Sequence, residues 1–297
     1  MSRSPHYGLL VAAVGALILT PDALMMRLSE MHGFQMSAWR GLLMGSVMVL
    51  GWALLSRGRA ADLALLGSGM GLLLVGAQWA NSTLFCLGIA QAPAAVVLFG
   101  VAAVPVFSAL LSAVFLGEPT RPATWAAIAA VMLGIGIAVL GGEGDRLALD
   151  PEALIGALYG LGVAFVLALN FVILRACPAM PIMLVIGIGA LCAGVTGTII
   201  TGPGQMLEGQ PLAMVFTGTV ILPLSFFLLS HASRHTQAAN VSLLMLLETV
   251  LAPLWVWIGV GERPTANMAL GGAVVVGSLA LYLLHTGRGL RPKQPHG

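Results

Sequence analysis

Apolar residues fill this chain in ten stretches, separated by only a few polar or turn-forming positions. The stretches run over about 7–27, 36–56, 64–89, 93–116, 122–141, 152–174, 180–201, 211–231, 238–260 and 265–285. A run of about 20 apolar residues crosses the hydrocarbon layer only as a helix, because its backbone N–H and C=O groups find no water there. The pattern predicts an all-α integral membrane protein with ten transmembrane helices and short loops.

Composition sharpens this expectation. The chain is 59% hydrophobic and 8% charged, with a mean hydropathy of +0.99 over 297 residues. Soluble domains carry about 25% charged residues, so little sequence remains for a solvated domain. A net charge of +2 is too small and dispersed for nucleic-acid binding. The first apolar run is expected to be a retained helix rather than a cleaved signal. Cys86, Cys177 and Cys192 stand singly, which predicts neither a disulfide framework nor a metal site. Without a Walker loop, ATP is not expected to drive any process in this chain. The absence of HExxH and GxSxG motifs argues against peptidase or esterase chemistry. The chain is therefore expected to be no enzyme and to need no cofactor.

Charge predicts orientation. With the N-terminus placed inside, nine of the 13 Lys and Arg residues fall on the inner side: Arg3, Arg57, Arg59, Arg121, Arg175, Arg234, Arg288, Arg291 and Lys293. Arg27, Arg40, Arg146 and Arg263 fall outside, as do the acids Glu143, Asp145, Asp150, Glu152, Glu208 and Glu262. The positive-inside rule then predicts a cell inner (plasma) membrane protein with both termini cytoplasmic.

The chain also resembles itself at an offset of 144 residues. Phe115 to Thr120 aligns with Gly259 to Pro264, and Gln91, Ala94 and Ala95 meet His235, Ala238 and Ala239. Five spans per half is an odd number, so the halves, 1–144 and 145–297, would insert with opposite orientation. Glu118 would then lie inside and Glu262 outside. Such inverted repeats usually enclose a binding site near the bilayer midplane.

The run Gln91-Ala92-Pro93-Ala94-Ala95, with Val104-Pro105-Val106-Phe107 and Leu116-Gly117-Glu118, resembles the EamA repeat of drug/metabolite transporters. The second half carries Gln237-Ala238-Ala239, Glu248-Thr249 and Gly261-Glu262, and Trp39-Arg40 resembles the arginine of that family's second span. Where the family often has Glu-Pro, this chain has Glu248-Thr249. The resemblance implies a small-solute transporter, and the YddG-type amino-acid exporters are nearest in length and pattern.

Polar side chains at membrane depth are costly and mark sites or structural pairs. Asp22 and Arg40 lie at similar depth on the first two spans, which predicts an ion pair; the alternative is a substrate-facing Asp22. Glu248 falls near the middle of the ninth span among Leu, Met and Val residues. It is either protonated between helices or faces a cavity, where it would meet a substrate amino group or carry a coupled proton. Gln78, Asn81, Ser82 and Phe85 share one face of the third span, either lining a cavity or bonding a neighbouring helix, and Trp79 lies one position off that face. Phe99, Tyr159, Phe165 and Met245 complete the expected substrate-binding wall, and Pro105 is the expected hinge of the fourth span. His231 and His235 lack a third ligand and read as a basic anchor near the inner surface. Gly41/Gly45, Gly67/Gly71 and Gly156/Gly160 read as close-packing pairs.

No arginine is placed near the midplane by this reading, which argues against organic phosphates as substrates. The expected function is export of small neutral or zwitterionic metabolites by alternating access, with apolar or aromatic amino acids first. Multidrug efflux, a membrane-embedded enzyme and a passive channel are the rivals. The expected partners are a small-molecule substrate and membrane lipid, with the chain acting as a monomer or weak homodimer.

Overall fold

The computed structural model describes residues 5–117, 122–139, 150–235 and 238–288. Arg3, Glu118, Arg121, Glu143, Asp145, Arg146, Arg291 and Lys293 lie outside those residues. Every regular element among the described residues is helical. Seven segments are long and apolar enough to cross a membrane: Tyr7–Leu28, Gly33–Leu55, Gly69–Gln91, Ala94–Phe115, Pro151–Ala176, Ile182–Thr201 and Pro211–Ser233. Three more apolar runs are shorter, at 10–17 residues: Ala129–Ala138, Leu244–Val260 and Ala266–Ser278. They belong to helices α8 (Pro122–Val139), α13 (Ala238–Val260) and α14 (Ala266–Arg288). Among the described residues, seven membrane-length helices thus stand where the hydrophobic pattern alone predicts ten.

Proline and capping residues cut several apolar stretches. The first divides into α1 (Pro5–Leu19) and α2 (Asp22–Leu28). Pro21 has no N–H to give the Leu17 carbonyl, and the Thr20 hydroxyl bonds that carbonyl instead at 3.0 Å. Trp255 on α13 then donates its indole N–H to the same hydroxyl at 3.2 Å, pinning the break to a distant helix. The fourth stretch divides into α6 (Ala94–Val101) and α7 (Val104–Leu116), with the turn at Ala102 and Ala103 just ahead of Pro105. The eighth contains α11 (Pro211–Phe216), a π-helical turn over Thr217–Ile221 and α12 (Leu222–Ser233), which carries Pro223 in its first turn.

The third stretch starts later than the hydrophobic pattern suggests. Residues 59–66 form a separate helix, α4 (Arg59–Leu66), and α5 (Gly69–Gln91) begins after Ser68. The Ser68 hydroxyl accepts the Gly71 N–H at 3.1 Å, an N-cap that restarts the helix inside an apolar run. Asp62 holds α4 to the end of α3 (Gly33–Leu55) by accepting from Trp52 Nε1 at 2.8 Å and Ser56 Oγ at 2.5 Å.

Helices α9 (Pro151–Ala176) and α10 (Ile182–Thr201) complete the set. The main packing partners are α3 with α10, α8 with α14, α5, α6 and α7 with α9, α5 with α10 and α3, and α1 with α12 and α13. The α3–α10 contact is backbone to backbone. A Cβ on Gly41 would stand 2.5 Å from the Ala190 carbonyl, and one on Gly45 2.8 Å from the Gly187 carbonyl. Gly100 on α6 and Gly160 on α9 meet in the same way. Small residues permit this approach, which in lipid supplies much of the association energy. Of Gly67/Gly71 only the second makes a close helix–helix approach: a Cβ on Gly71 would meet the Leu65 and Leu66 carbonyls of α4, whereas one on Gly67 meets only its own preceding turn.

The two ends of the bundle are distinct. At one end the 202–210 loop is held by Gln35 Nε2, which donates to the Gln205 and Glu208 carbonyls at 2.7 and 2.8 Å, and by Trp39 Nε1, which donates to the Met206 carbonyl at 2.8 Å. This end also carries Arg27 and Glu262. The other end carries Arg234, whose Nη2 donates to the Met180 carbonyl.

Candidate functional site

Three helix segments bring charged groups into the interior. The break at Pro21 starts α2 at Asp22, whose carboxylate suits the amino end of a helix. Arg40, on α3, donates from Nη1 to Asp22 Oδ1 at 2.6 Å, with the two side chains 7% and 1% exposed. The guanidinium carbon also stands 5.6 Å from the Phe85 ring centroid, within cation–π reach. Among the described residues, Nε and Nη2 of Arg40 have no hydrogen-bond partner. Glu248, on α13, is 4% exposed and makes no hydrogen bond or ion pair among the described residues.

Amides complete the polar side. Gln78 Nε2 on α5 donates to Ser82 Oγ one turn on at 3.3 Å, and Asn170 Nδ2 on α9 reaches Gln78 Oε1 at 3.5 Å. Asn170 Oδ1 is buried and has no hydrogen-bond partner among the described residues. Asp22, Arg40, Gln78, Asn81, Ser82, Met245 and Glu248 all border one internal chamber, whose remaining wall is apolar and includes Leu19, Met44, Phe85 and Phe226. Its volume is about 30 Å³, room for a water molecule or two and no more. In this conformation the chamber is too narrow for a solute.

Four of the expected wall residues lie elsewhere. Trp79 is 40% exposed and donates to Thr196 Oγ1 at 3.2 Å on α10. Phe165 is 43% exposed and meets Phe107 edge-to-face with ring centroids 5.7 Å apart. Phe99 is buried against Gly272 of α14, and half-buried Tyr159 packs on Gly88. Pro105 stands in the first turn of α7, beyond the break in the fourth stretch. Arg40 departs in the opposite sense. Its depth along the span suggests an outer position, whereas its side chain borders the chamber that holds Glu248. Depth is readable from span length, but the face a helix turns inward depends on its neighbours, and no local signal marks Arg40 or Met44 as lining residues.

A second polar cluster lies at the end of the bundle that carries Glu262. Arg27 Nη2 donates to the Ala92 carbonyl at 2.6 Å and contacts Glu262 Oε1 at 3.3 Å, while Arg27 Nε lies 2.9 Å from Glu262 Oε2. Glu262 Oε1 also accepts the Ala94 N–H at 2.8 Å, occupying the amino end of α6. These groups tie α2, the α5–α6 turn and the segment after α13 into one latch. They line a cleft of about 430 Å³, together with Pro93, Asp150, Glu152 and Arg263.

The latch and the chamber are carried by the same helices. Asp22 and Arg27 share α2, Phe85 and Ala92 bracket the end of α5, Val101 and Ala94 are the two ends of α6, and Glu248 and Val256 share α13. At a rise of 1.5 Å per residue, the latch sits about 10 Å from the chamber along each of the last three. At the opposite end, His231 and His235 lie near Tyr7, with the two imidazole rings tilted at 42° and their centroids 4.5 Å apart. Among the described residues no group of three His, Cys, Asp or Glu side chains is placed to hold a metal.

No protein-family model matches the chain. It is 25% identical over 253 residues to a protein of Bacillus subtilis (strain 168) named "Uncharacterized transporter YdfC", covering 82% of this chain and 79% of that one. A protein of known crystal structure superposes on it with a TM-score of 0.67 at 20% identity, over 95% of this chain and 99% of the other. That second likeness shows the fold. The helices and the buried polar chamber together define a polytopic, all-helical membrane protein.

Proposed function

We propose that this protein is a transporter that carries small neutral or zwitterionic metabolites through its central chamber by alternating access, with apolar or aromatic amino acids as the first substrate class. The observation that carries this reading is the chamber itself. Buried in a lipid-facing bundle, it holds Glu248, an acid with no hydrogen-bond or ion-pair partner among the described residues, beside amides and a wall of Leu, Met and Phe. An unpaired ionisable group at that depth costs stability and is retained where a solute or ion needs it. The relative named as a transporter supports the same class.

In this reading α8, α13 and α14 also cross the bilayer, making ten spans in two inverted halves, 1–144 and 145–297. The helix pairings support that arrangement. Exchanging each span for the one five places along maps α3–α10 and α8–α14 onto themselves, α5–α9 onto α12–α1, and α6–α9 onto α13–α1. Strongest pairings that keep their places under this exchange are what two like halves packed about a two-fold axis produce. The latch then closes the outer mouth, the termini lie in the cytoplasm, and the narrow chamber belongs to an occluded state between two open ones. Export from the cell follows from the resemblance to the EamA transporters.

A channel is disfavoured by the chamber's narrowness, since a pore needs a continuous wet path and this space admits only a water or two. Uptake of labelled amino acids into proteoliposomes tests the proposal. Saturable flux that falls with Glu248→Ala combined with Gln78→Ala supports it. Absence of saturable flux, or flux unchanged by the pair, ends it.

A further inference from the structure

Two charged side chains, each more than nine-tenths buried, present free polar atoms to the same chamber. Arg40, 6% exposed, gives only Nη1 to Asp22 and leaves Nε and Nη2 without partners among the described residues. Glu248, 4% exposed, has neither a hydrogen bond nor an ion pair there. Burying a charge without a partner is expensive, and a fold keeps such groups only when something else completes them. The Asp22 contact turns Arg40 toward the chamber from one side while Phe85 lies over the guanidinium on another, so the side chain is held before any ligand arrives.

We propose that Arg40 and Glu248 are the two poles of a clamp for the zwitterionic head of an α-amino acid. The free guanidinium N–H groups take the carboxylate, and the Glu248 carboxylate takes the ammonium group. A guanidinium fork matches a carboxylate in charge and in plane, and charge-assisted bonds of this kind are the strong ones. Asp22 is a positioning residue: it orients Arg40 and leaves the remaining donors free. The substrate side chain lies against Leu19, Met44, Met245 and Phe226.

Chamber charge explains why the head must carry both signs. One guanidinium faces two carboxyl groups, one of them already engaged. A phosphate ester meets Arg40 but is repelled by Glu248, and a simple amine meets Glu248 but is repelled by Arg40. The clamp closes on its ligand only after the helices part, since the present volume admits no amino acid.

The clamp rests on the reading of this chamber as the solute site, and the test separates the two. Binding to the purified full-length protein in detergent is measured calorimetrically with leucine, leucinamide (no carboxylate) and 4-methylpentanoate (no ammonium). The native protein is expected to favour leucine over each by roughly tenfold or more, the scale of one charge-assisted hydrogen bond. Arg40→Lys, which keeps the charge but loses the fork, shrinks the preference over leucinamide and spares that over 4-methylpentanoate. Glu248→Gln does the reverse. A merely structural Arg40 would weaken all three ligands equally, and that parallel loss overturns the clamp. Where Arg40→Lys does not fold, Asp22→Asn with Arg40→Gln removes both buried charges and gives the same comparison. Leucine binding whose head-group preference ignores both residues ends the clamp and leaves the transporter reading intact. Saturable binding of other solutes with none of these three ends the amino-acid reading and the clamp with it.

Discussion

Among the described residues an arginine–carboxylate pair occurs twice, in settings that give it opposite meanings. Arg27 and Glu262 are 24% and 30% exposed, and the backbone at Ala92 and Ala94 takes up further donors and acceptors of the pair. Asp22 and Arg40 are 1% and 7% exposed, and Arg40 keeps two nitrogens without a partner among the described residues. Water and salt screen the first pair, so holding it shut contributes little to stability and breaking it is easy. The second pair cannot be broken without stranding a charge in the interior. An exchangeable contact suits a gate, and a locked one suits a scaffold for a binding group.

The largest expected effect comes from stranding the buried partner. Arg40→Ala should destabilise the protein by about 3–5 kcal/mol, seen as early thermal unfolding in detergent. Adding Asp22→Asn should restore much of the loss. Equal stability of Arg40→Ala and the native protein would remove the contrast between the two pairs.

Glu248 should behave as a group kept for function at the expense of folding. Glu248→Gln is expected to raise the unfolding temperature modestly, because it removes an unpaired buried carboxyl group, while cutting proteoliposome flux by roughly tenfold. A variant that loses stability instead would mean that Glu248 has a structural partner.

At the latch the expectation reverses. Arg27→Gln or Glu262→Gln should change stability by no more than about 1 kcal/mol. Either should speed the modification of a Ser82→Cys probe, in a background free of the native cysteines, by an impermeant thiol reagent applied to the side that bears Glu262. High salt should do the same with the native latch. Labelling indifferent to the substitutions and to salt would show that the latch closes nothing.

The smallest effect is expected at Trp79, whose indole faces away from the chamber. Trp79→Leu forfeits one partly exposed hydrogen bond to Thr196, about 1 kcal/mol. Transport should stay within roughly twofold of native, against the tenfold fall at Glu248. A loss of flux as large as that of Glu248→Gln would return Trp79 to the site.

Much of the architecture is legible in the order of residues. Apolar length marks a membrane segment whatever it packs against, so most helix positions can be read to within a few residues. The departures have local causes. Ser68 caps a helix inside an apolar run, and Pro21 and Pro105 accompany breaks where hydropathy sees no interruption. The candidate site is less legible. Gln78, Asn81, Ser82, Met245 and Glu248 border one chamber, but Trp79, Phe99, Tyr159 and Phe165 do not, and Arg40 joins it from a helix whose sequence suggests only a structural pair. Arg27 and Glu262 read separately as outer-side charges, and 235 positions of chain separate the two ends of the latch.

Sequence alone commits this chain to a membrane as helices, because transfer of apolar surface and the need to bond every backbone group act residue by residue. It also commits a few polar groups to lie at depth. Which of those groups meet is a matter for the tertiary structure. In lipid, a helix is turned by close contacts such as Gly41 with Gly194 and Gly100 with Gly160, and such contacts are set pairwise between distant segments.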